Sequence, residues 1–170
     1  NAQESNVVLT GSGPVTATLN LGSLRVQGVE FELTARPIDA LQSNLCMSLR
    51  DFNVASGANL LRTDKRKFNF GMRYDQPLSN GNTTYAGVDG SIAGPRWLSC
   101  CDRQDSRTLV NAQIGIKTET GLEFAVFAKN LFNEKYFYEY ADRSLLGTAY
   151  DIGVPADKRL VGVRVSYQIK

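Results

Sequence analysis

The sequence predicts an all-β protein, an antiparallel meander of about seven or eight long strands. Apolar and polar residues alternate over runs of about ten residues, and turn signals separate one run from the next. The chain has 170 residues. No apolar run approaches the roughly eighteen residues of a membrane-spanning helix, so a helical membrane protein is excluded.

The clearest alternating run is the last one, residues 160–169. Because side chains point to opposite sides of a strand in turn, its odd positions form one fully apolar face. That face consists of Val161, Val163, Val165, Tyr167 and Ile169. The runs 28–35, 67–76 and 109–118 repeat the pattern, so the whole sheet is expected to have one apolar and one polar face.

An apolar face needs an apolar medium, which is either a protein core or lipid. The strands of a soluble sandwich and those of a transmembrane barrel both alternate. Long runs with aromatic residues near their ends, such as Phe68 and Tyr74 in the run 67–76, are typical of barrel strands. The alternation alone leaves both media open.

Short and long connections alternate along the predicted strands. Short turns are predicted at residues 36–39, 76–81 and 118–121, the second of them around Asn80 and Gly81. Longer irregular segments are predicted at residues 53–66, 91–108 and 133–159. Outer-membrane barrels sort their connections by length in this way and a sandwich has no reason to, so the pattern favours lipid.

Three motifs extend this interpretation. Residues 24–37 read LRVQGVEFELTARP, residues 129–136 read KNLFNEKY, and Gly162 is followed by Val165, Tyr167 and Ile169. Together they resemble the C-terminal barrel region of TonB-dependent outer-membrane receptors, including the motif before the last long extracellular loop and the terminal targeting strand. The family usually ends in Phe or Trp, whereas here Ile169 is followed by Lys170.

The resemblance implies part of a transmembrane β-barrel that has 22 strands in plugged transporters. About seven or eight strands cannot close such a barrel, so residues 1–170 are expected to be one partial domain, the C-terminal segment of the barrel. No plug domain is recognised in this chain. A barrel of about eight strands closed on itself is the geometric alternative.

The resemblance also implies a function. Such a receptor imports a scarce nutrient, for example siderophore-bound iron, haem, cobalamin or an oligosaccharide, across the outer membrane of a Gram-negative bacterium. Its partners are outer-membrane lipid, the rest of the barrel and the plug, the energy-coupling TonB protein acting through that plug, and the small-molecule nutrient. The short turns are then periplasmic and the long segments extracellular. The alternatives are a small structural or adhesive outer-membrane barrel without active transport and a soluble β-sandwich binding module.

Composition gives no basis for several other functions. The net charge is +2, and no basic stripe with interleaved aromatics suggests nucleic acid. The chain has no histidine, which removes Ser-His-Asp and Cys-His catalysis and makes a zinc site improbable. Glu30 and Glu32 share a strand face as a glycosidase pair could, but a water-facing barrel wall is the simpler interpretation. We expect no enzyme activity, cofactor or metal.

Candidates for ligand contact come from the long segments, where rigid aromatic residues flanked by charge suit a flat or polyhydroxylated ligand. They are Arg96, Trp97, Tyr138, Tyr140, Asp142 and Arg143. Aromatic residues at the membrane interface and ordinary loop packing are the alternative interpretation.

The cysteines lie in two places. Cys100 and Cys101 fall in a segment expected to be extracellular and oxidising, so they are disulfide candidates. Cys46 is expected near a short turn, too far away to join them. A partner outside this chain for one of the loop cysteines stays open.

Overall fold

A computed structural model describes residues 2–10, 13–55, 60–99, 102–141 and 152–169 of the chain. Over these ranges the regular structure is entirely β. No helix there is long and apolar enough to cross a membrane. The strands are β1 (Ala2–Thr10), β2 (Gly13–Gly22), β3 (Leu24–Ile38), β4 (Leu41–Val54), β5 (Arg66–Pro77), β6 (Thr83–Ala93), β7 (Arg96–Trp97), β8 (Arg103–Gln104), β9 (Arg107–Lys117), β10 (Leu122–Lys129), β11 (Phe137–Ala141), β12 (Ile152–Pro155) and β13 (Leu160–Tyr167). The all-β class is confirmed.

Seven long strands form one antiparallel sheet in the order β3-β4-β5-β6-β9-β10-β13. Each strand pairs with the next long strand of the chain, so the predicted meander is confirmed. Strands β1 and β2 pair with each other in a separate two-stranded sheet. Within the described residues β3 and β13 each have one neighbour, so the sheet has two open edges and does not close on itself.

Short turns join the long strands at one end of the sheet, which we call the short-turn end. Gly81 and Gly121 have φ angles of 78° and 91°, a conformation that glycine adopts without steric cost. The predicted turn at residues 36–39 is displaced. Strand β3 continues to Ile38 through an irregularity after Ala35, and the turn follows it. Pro37 is tolerated there because it lies at this irregularity and has no partner residue on β4.

The opposite end, which we call the long-loop end, carries the connections 55–65, 94–106 and 130–159. The expected pattern of alternating short and long connections is therefore present. Two of the long connections contain short hairpins, β7 with β8 and β11 with β12, where irregular chain was expected. Strand β6 also extends to Ala93, beyond the predicted start of the second loop at residue 91, because it stays paired with β5 and β9.

The two faces of the sheet have opposite character. One face, the apolar face, consists of the alternating apolar positions, and fourteen large apolar residues on it are exposed. They are Val29, Phe31, Leu33, Leu49, Met72, Tyr74, Ile92, Ile114, Phe124, Val126, Val161, Val163, Val165 and Tyr167. The other face, the polar face, holds buried residues instead, including Tyr85 and Ala125, each 2% exposed.

The exposed apolar face is too costly to be an ordinary water-facing surface. Full burial of an exposed side chain of this kind contributes about 1.5–3 kcal/mol. Because these fourteen side chains are already about half covered, each forgoes about half of that value, on the order of 10–20 kcal/mol in all. That sum is as large as the net stability of a typical domain, about 5–15 kcal/mol. The apolar face therefore requires an apolar environment outside this chain.

Close cross-strand pairs of aromatic residues and glycine complete the polar face. The ring of Tyr85 lies over Gly115, and a Cβ at Gly115 would approach its Cζ to 2.6 Å. The ring of Phe127 lies over Gly162 in the same way on the next pair of strands. Glycine admits these rings because it has no side chain in their place.

Candidate functional site

A cavity with a volume of about 780 Å³ lies on the polar face toward the long-loop end. Asn69, Asp89 and Asn111 line it from three neighbouring strands, and Tyr138 and Asp157 line it from the last long connection. The volume falls within the range of about 300–1,000 Å³ that small-molecule sites occupy. Amides, two carboxylates and phenol rings together offer both hydrogen bonds and flat apolar surface.

Asn111 links the wall of this cavity to the loop above it. Its Nδ2 donates to Asp89 Oδ2 at 2.7 Å, and its Oδ1 accepts from the backbone N–H of Asn130 at 3.0 Å. The side chain is thereby held by both the neighbouring strand and the loop. This part of the cavity wall is therefore a preformed polar surface.

Asn130 is the anchor of the last long connection. It is 7% exposed and has a φ of 48°, a left-handed conformation in which Asn is enriched among non-glycine residues. Its Nδ2 donates to the carbonyls of Glu134 and Asp157, both at 2.9 Å, and its Oδ1 accepts from the N–H of Glu134 at 2.8 Å. The side chain therefore ties the start of the loop to its end.

Asn133 reinforces this anchor from the same motif. It has a φ of 56°, and its Oδ1 accepts from the N–H of Arg159 at 3.1 Å. The KNLFNEKY segment that resembles a receptor motif is thus a loop clamp in this structure. Its asparagines position the residues that line the cavity.

Tyr136 and Tyr138 follow the clamp in the last long connection. The rings of Tyr136 and Tyr138 meet edge to face with centroids 5.5 Å apart, and the guanidinium of Arg107 lies 5.8 Å from the Tyr136 ring centroid. The Tyr138 hydroxyl donates to Asp157 Oδ2 at 3.4 Å. Burial, followed by hydrogen bonding with Tyr138, raises the pKa of Tyr136 to about 12. Tyr136 is therefore neutral throughout the physiological range.

Arginines hold the long connections to one another. Arg107 Nη2 and Asp64 Oδ2 form an ion pair at 2.6 Å whose side chains are 11% and 13% exposed. Arg62 pairs with Glu139 at 3.1 Å. The Arg62–Glu139 pair joins the first long connection to the third, and the Arg107–Asp64 pair joins the first connection to the start of β9.

Arg96, one of the predicted ligand contacts, takes part in this linkage. Its Nε donates to Gln104 Oε1 at 3.2 Å, and its Nη2 donates to the carbonyls of Phe137 and Tyr138 at 3.0 and 3.5 Å. Burial, and next the charge of Arg107, lower the pKa of Arg96. Its guanidinium is nevertheless charged, since arginine does not deprotonate in proteins.

The structure separates the predicted ligand-contact residues. Tyr138 lines the 780 Å³ cavity, whereas Arg96 and Trp97 line a second cavity of about 310 Å³. Tyr140 packs edge to face against Phe137, with ring centroids 5.7 Å apart. Asp142 and Arg143 lie outside the described residues. Sequence reasoning did not select Asp89 or Asp157; for Asp89, its place on the polar face of β6 was the available signal.

The cysteines are only partly described. Cys46 is a free cysteine in the half of β4 nearer the short turn. Cys100 and Cys101 lie outside the described residues, so their disulfide stays a prediction. No group of three or more potential metal ligands occurs in the described ranges.

A polar network crosses the polar face near the short-turn end. Arg73 pairs with Asp75 at 2.8 Å, and its guanidinium stacks on the Tyr85 ring, 3.9 Å from the centroid. The Tyr85 hydroxyl donates to Glu123, which also lies 3.9 Å from Arg164. The network joins β5, β6, β10 and β13 across the part of the wall with buried residues.

Glu30 and Glu32, the spaced carboxylates on β3, belong to the same wall. Glu30 Oε1 accepts from Ser48 Oγ on β4 at 3.1 Å. Glu32 pairs across the sheet with Cys46. Their cross-strand neighbours are ordinary polar-face positions, which fits the interpretation of a water-facing wall.

Comparison with protein families gives one match. The model described as "TonB dependent receptor-like, beta-barrel" matches residues 1–131, which is 131 of the 170 residues. Comparison with curated proteins gives no match.

Proposed function

The chain belongs to the TonB-dependent receptor β-barrel family, and on that premise we propose that it is the C-terminal barrel part of a receptor that imports a scarce nutrient. The family resides in the outer membrane of Gram-negative bacteria, and its members are receptors and transporters rather than enzymes. The apolar face accordingly meets outer-membrane lipid. The polar face lines the lumen of the barrel.

The observation that carries this proposal is the pairing of a lipid-facing surface with a ligand-sized cavity on the opposite face. A purely structural barrel needs the first of these but not the second. Here the 780 Å³ cavity lies at the long-loop end, where a ligand arriving from outside the cell would first meet the lumen. A soluble sandwich does not fit the exposed apolar face.

The open sheet supports the proposal that residues 1–170 are one partial domain. Strand β3 has fifteen residues and pairs on one side only within the described chain. Long unpaired edges invite aggregation, and barrels remove them by closure. We therefore propose that further strands of the receptor pair with β3 and β13.

Ligand contact is proposed for the cavity wall and for the loop residues above it. The residues predicted from the sequence are Arg96, Trp97, Tyr138, Tyr140, Asp142 and Arg143, and the structure adds Asn69 and Asp157 as cavity-lining residues. The mixture of amides and rings is compatible with a ferric siderophore, haem, cobalamin or an oligosaccharide. The plug and the TonB protein are proposed partners, the plug against the network of Arg73, Tyr85 and Glu123.

Uptake by the full receptor tests the proposal. Cells lacking the receptor gene are supplied with labelled candidate nutrients and complemented with wild-type receptor, Tyr138→Ala, or Tyr74→Phe as a control on the apolar face. We expect uptake of one nutrient to depend on both the receptor and the TonB protein, and to fall in Tyr138→Ala alone. A receptor whose loss changes the uptake of none of these nutrients, under limitation for each, would contradict an import function.

A further inference from the structure

The second cavity, of about 310 Å³, lies at the long-loop end between the ends of β4 and β5 and the β7–β8 hairpin. Four cationic residues line it, namely Lys65, Arg66, Arg96 and Arg103. None of its lining residues carries a carboxylate. This cavity is therefore unlike the 780 Å³ cavity, whose wall includes Asp89 and Asp157.

The cations of this cavity are largely uncompensated. Lys65 pairs with Asp51 at 3.2 Å, but both side chains are mostly exposed. Arg96 donates to an amide oxygen and to backbone carbonyls rather than to a carboxylate. In the described part of the chain, Arg66 and Arg103 have neither an ion-pair partner nor a hydrogen-bond partner for their side chains.

The neighbouring acid supplies only part of the missing charge. Asp64 lies close enough to influence Arg96 electrostatically, but its Oδ2 is engaged by Arg107 at 2.6 Å. Arg66, Arg96 and Arg103 therefore line one small cavity, and none of the described residues that line it carries a carboxylate. Like charges gathered around one cavity repel one another, and a bound anion would relieve that repulsion.

We propose that this cavity binds a phosphate-like anionic group, with Arg66 and Arg103 as its main charged donors. The guanidinium fork matches phosphate oxygens in a bidentate manner, and such charge-assisted hydrogen bonds are about twice as strong as neutral ones. Phe52 and Trp97 also line the cavity and give it apolar surface beside these cations. The anion is either the phosphate of a lipid headgroup or the anionic group of a soluble ligand, and the site does not depend on nutrient import.

Trp97 provides a reporter, because it is the single tryptophan of this chain and lines the cavity. The full receptor in detergent is titrated with inorganic phosphate at constant ionic strength, and the fluorescence of a Trp97→Phe variant is subtracted. We expect a saturable change. In the Arg66→Gln/Arg103→Gln variant the apparent affinity should fall by about tenfold or more, because two charge-assisted bonds are lost.

The matched control removes two cations at the short-turn end, with the variant Arg36→Gln/Lys117→Gln. This variant changes the net charge by the same amount and should titrate like the wild type. A response that does not saturate, or that is equal in all three proteins, would reduce the effect to ionic strength and overturn the site. Equal weakening in the control would overturn it as well.

Reconstitution distinguishes the two sources of the anion. The receptor is placed in vesicles of phosphatidylcholine, with or without phosphatidic acid, and the phosphate titration is repeated. Loss of the response only in vesicles with phosphatidic acid means that a lipid phosphate already fills the cavity. An unchanged response in both vesicles supports a soluble anionic ligand. Both outcomes require the titration in detergent to succeed first.

Discussion

The two faces of the seven-stranded sheet are built from the same strands but differ in polarity and in how their side chains are stabilised. Phe70 and Asn69 are consecutive residues of β5, yet Phe70 pairs with Leu45 on the apolar face whereas Asn69 lies on the polar face. The side chains of the apolar face are stabilised by contact with an apolar medium rather than by individual partners. Those of the polar face form specific bonds, such as the bonds among Tyr85, Glu123 and Arg164.

This difference indicates where substitutions are tolerated. A lipid-facing position needs only an apolar side chain of suitable size, since it has no fixed partner. A polar-face position with buried neighbours depends on shape and hydrogen bonding. The faces should therefore respond in opposite ways to charge and to small changes of volume.

The largest expected effect separates the faces by charge. Phe70→Arg should cost about 2–4 kcal/mol if the site lies near the bilayer midplane, and should impair insertion of the full receptor. Asn69→Arg, one residue away, should be far milder because its side chain faces water. Assembly is measured as the fraction of receptor that reaches the outer membrane folded. Equal damage from both variants would mean that both faces are packed against protein.

The next effect concerns the loop clamp at the edge of the polar face. Asn130→Ala removes three side-chain hydrogen bonds and leaves an alanine at a φ of 48°. We expect a loss of about 2–3 kcal/mol from unsatisfied buried groups and backbone strain. Asn130→Gly relieves the strain alone and should recover part of the loss. The measurement is the rate of proteolysis within residues 130–159; unchanged rates in both variants would remove the clamp role.

A smaller effect tests the fit of the polar face. Gly115→Ala places a Cβ 2.6 Å from the Tyr85 ring, which is held by Arg73 and Glu123, so we expect a cost of about 1–3 kcal/mol in the stability of the folded barrel. Gly87→Ala is the matched control on the same face, because its nearest contact would be an ordinary 3.4 Å. Denaturant-induced unfolding in detergent measures both. Similar unfolding midpoints for the two variants would show that the polar face accommodates the extra methyl group at Gly115 without cost.

The smallest effect is a pH dependence at the cavity. The pKa of Tyr136 is about 12 instead of 10.0, so the folded state favours the neutral phenol. Its contribution to stability is complete below pH 10 and is lost as the pH rises through about 12. Tyr136→Phe should remove this part of the alkaline stability loss. If the stability of the two proteins depended on pH in the same way between pH 10 and 12, the surroundings of Tyr136 would not favour its neutral form.

The long strands could be predicted because their period of two extends over many residues. The run 67–76 became strand Arg66–Pro77, and the run 109–118 became Arg107–Lys117. The end of β3 could not be predicted, because Pro37 indicates a turn in the sequence, whereas the strand accepts it at an irregularity in its pairing with β4. Strands as short as Arg96–Trp97 have no period to detect.

The cavity was harder to predict than the strands. Asn69, Asp89 and Asn111 are far apart in the sequence and become neighbours only through the register of three strands. Asn130 was visible as part of a motif, but its role as a clamp depends on bonds to Asp157, which lies 27 residues later in the chain. The sequence therefore predicted which residues lie on each face of the sheet, but the strand register determines which of them are neighbours.

Solvent accessibility along β5 tests the lipid-facing assignment most directly. Nitroxide labels are placed singly at positions 67–76 of the full receptor in lipid bilayers, with the native cysteines replaced. The relaxation of each label by oxygen and by a water-soluble reagent is then compared. The assignment predicts an alternation of period two, with oxygen dominant at Phe68, Phe70, Met72 and Tyr74. Uniform accessibility to the water-soluble reagent, or an alternation of the opposite phase, would contradict it.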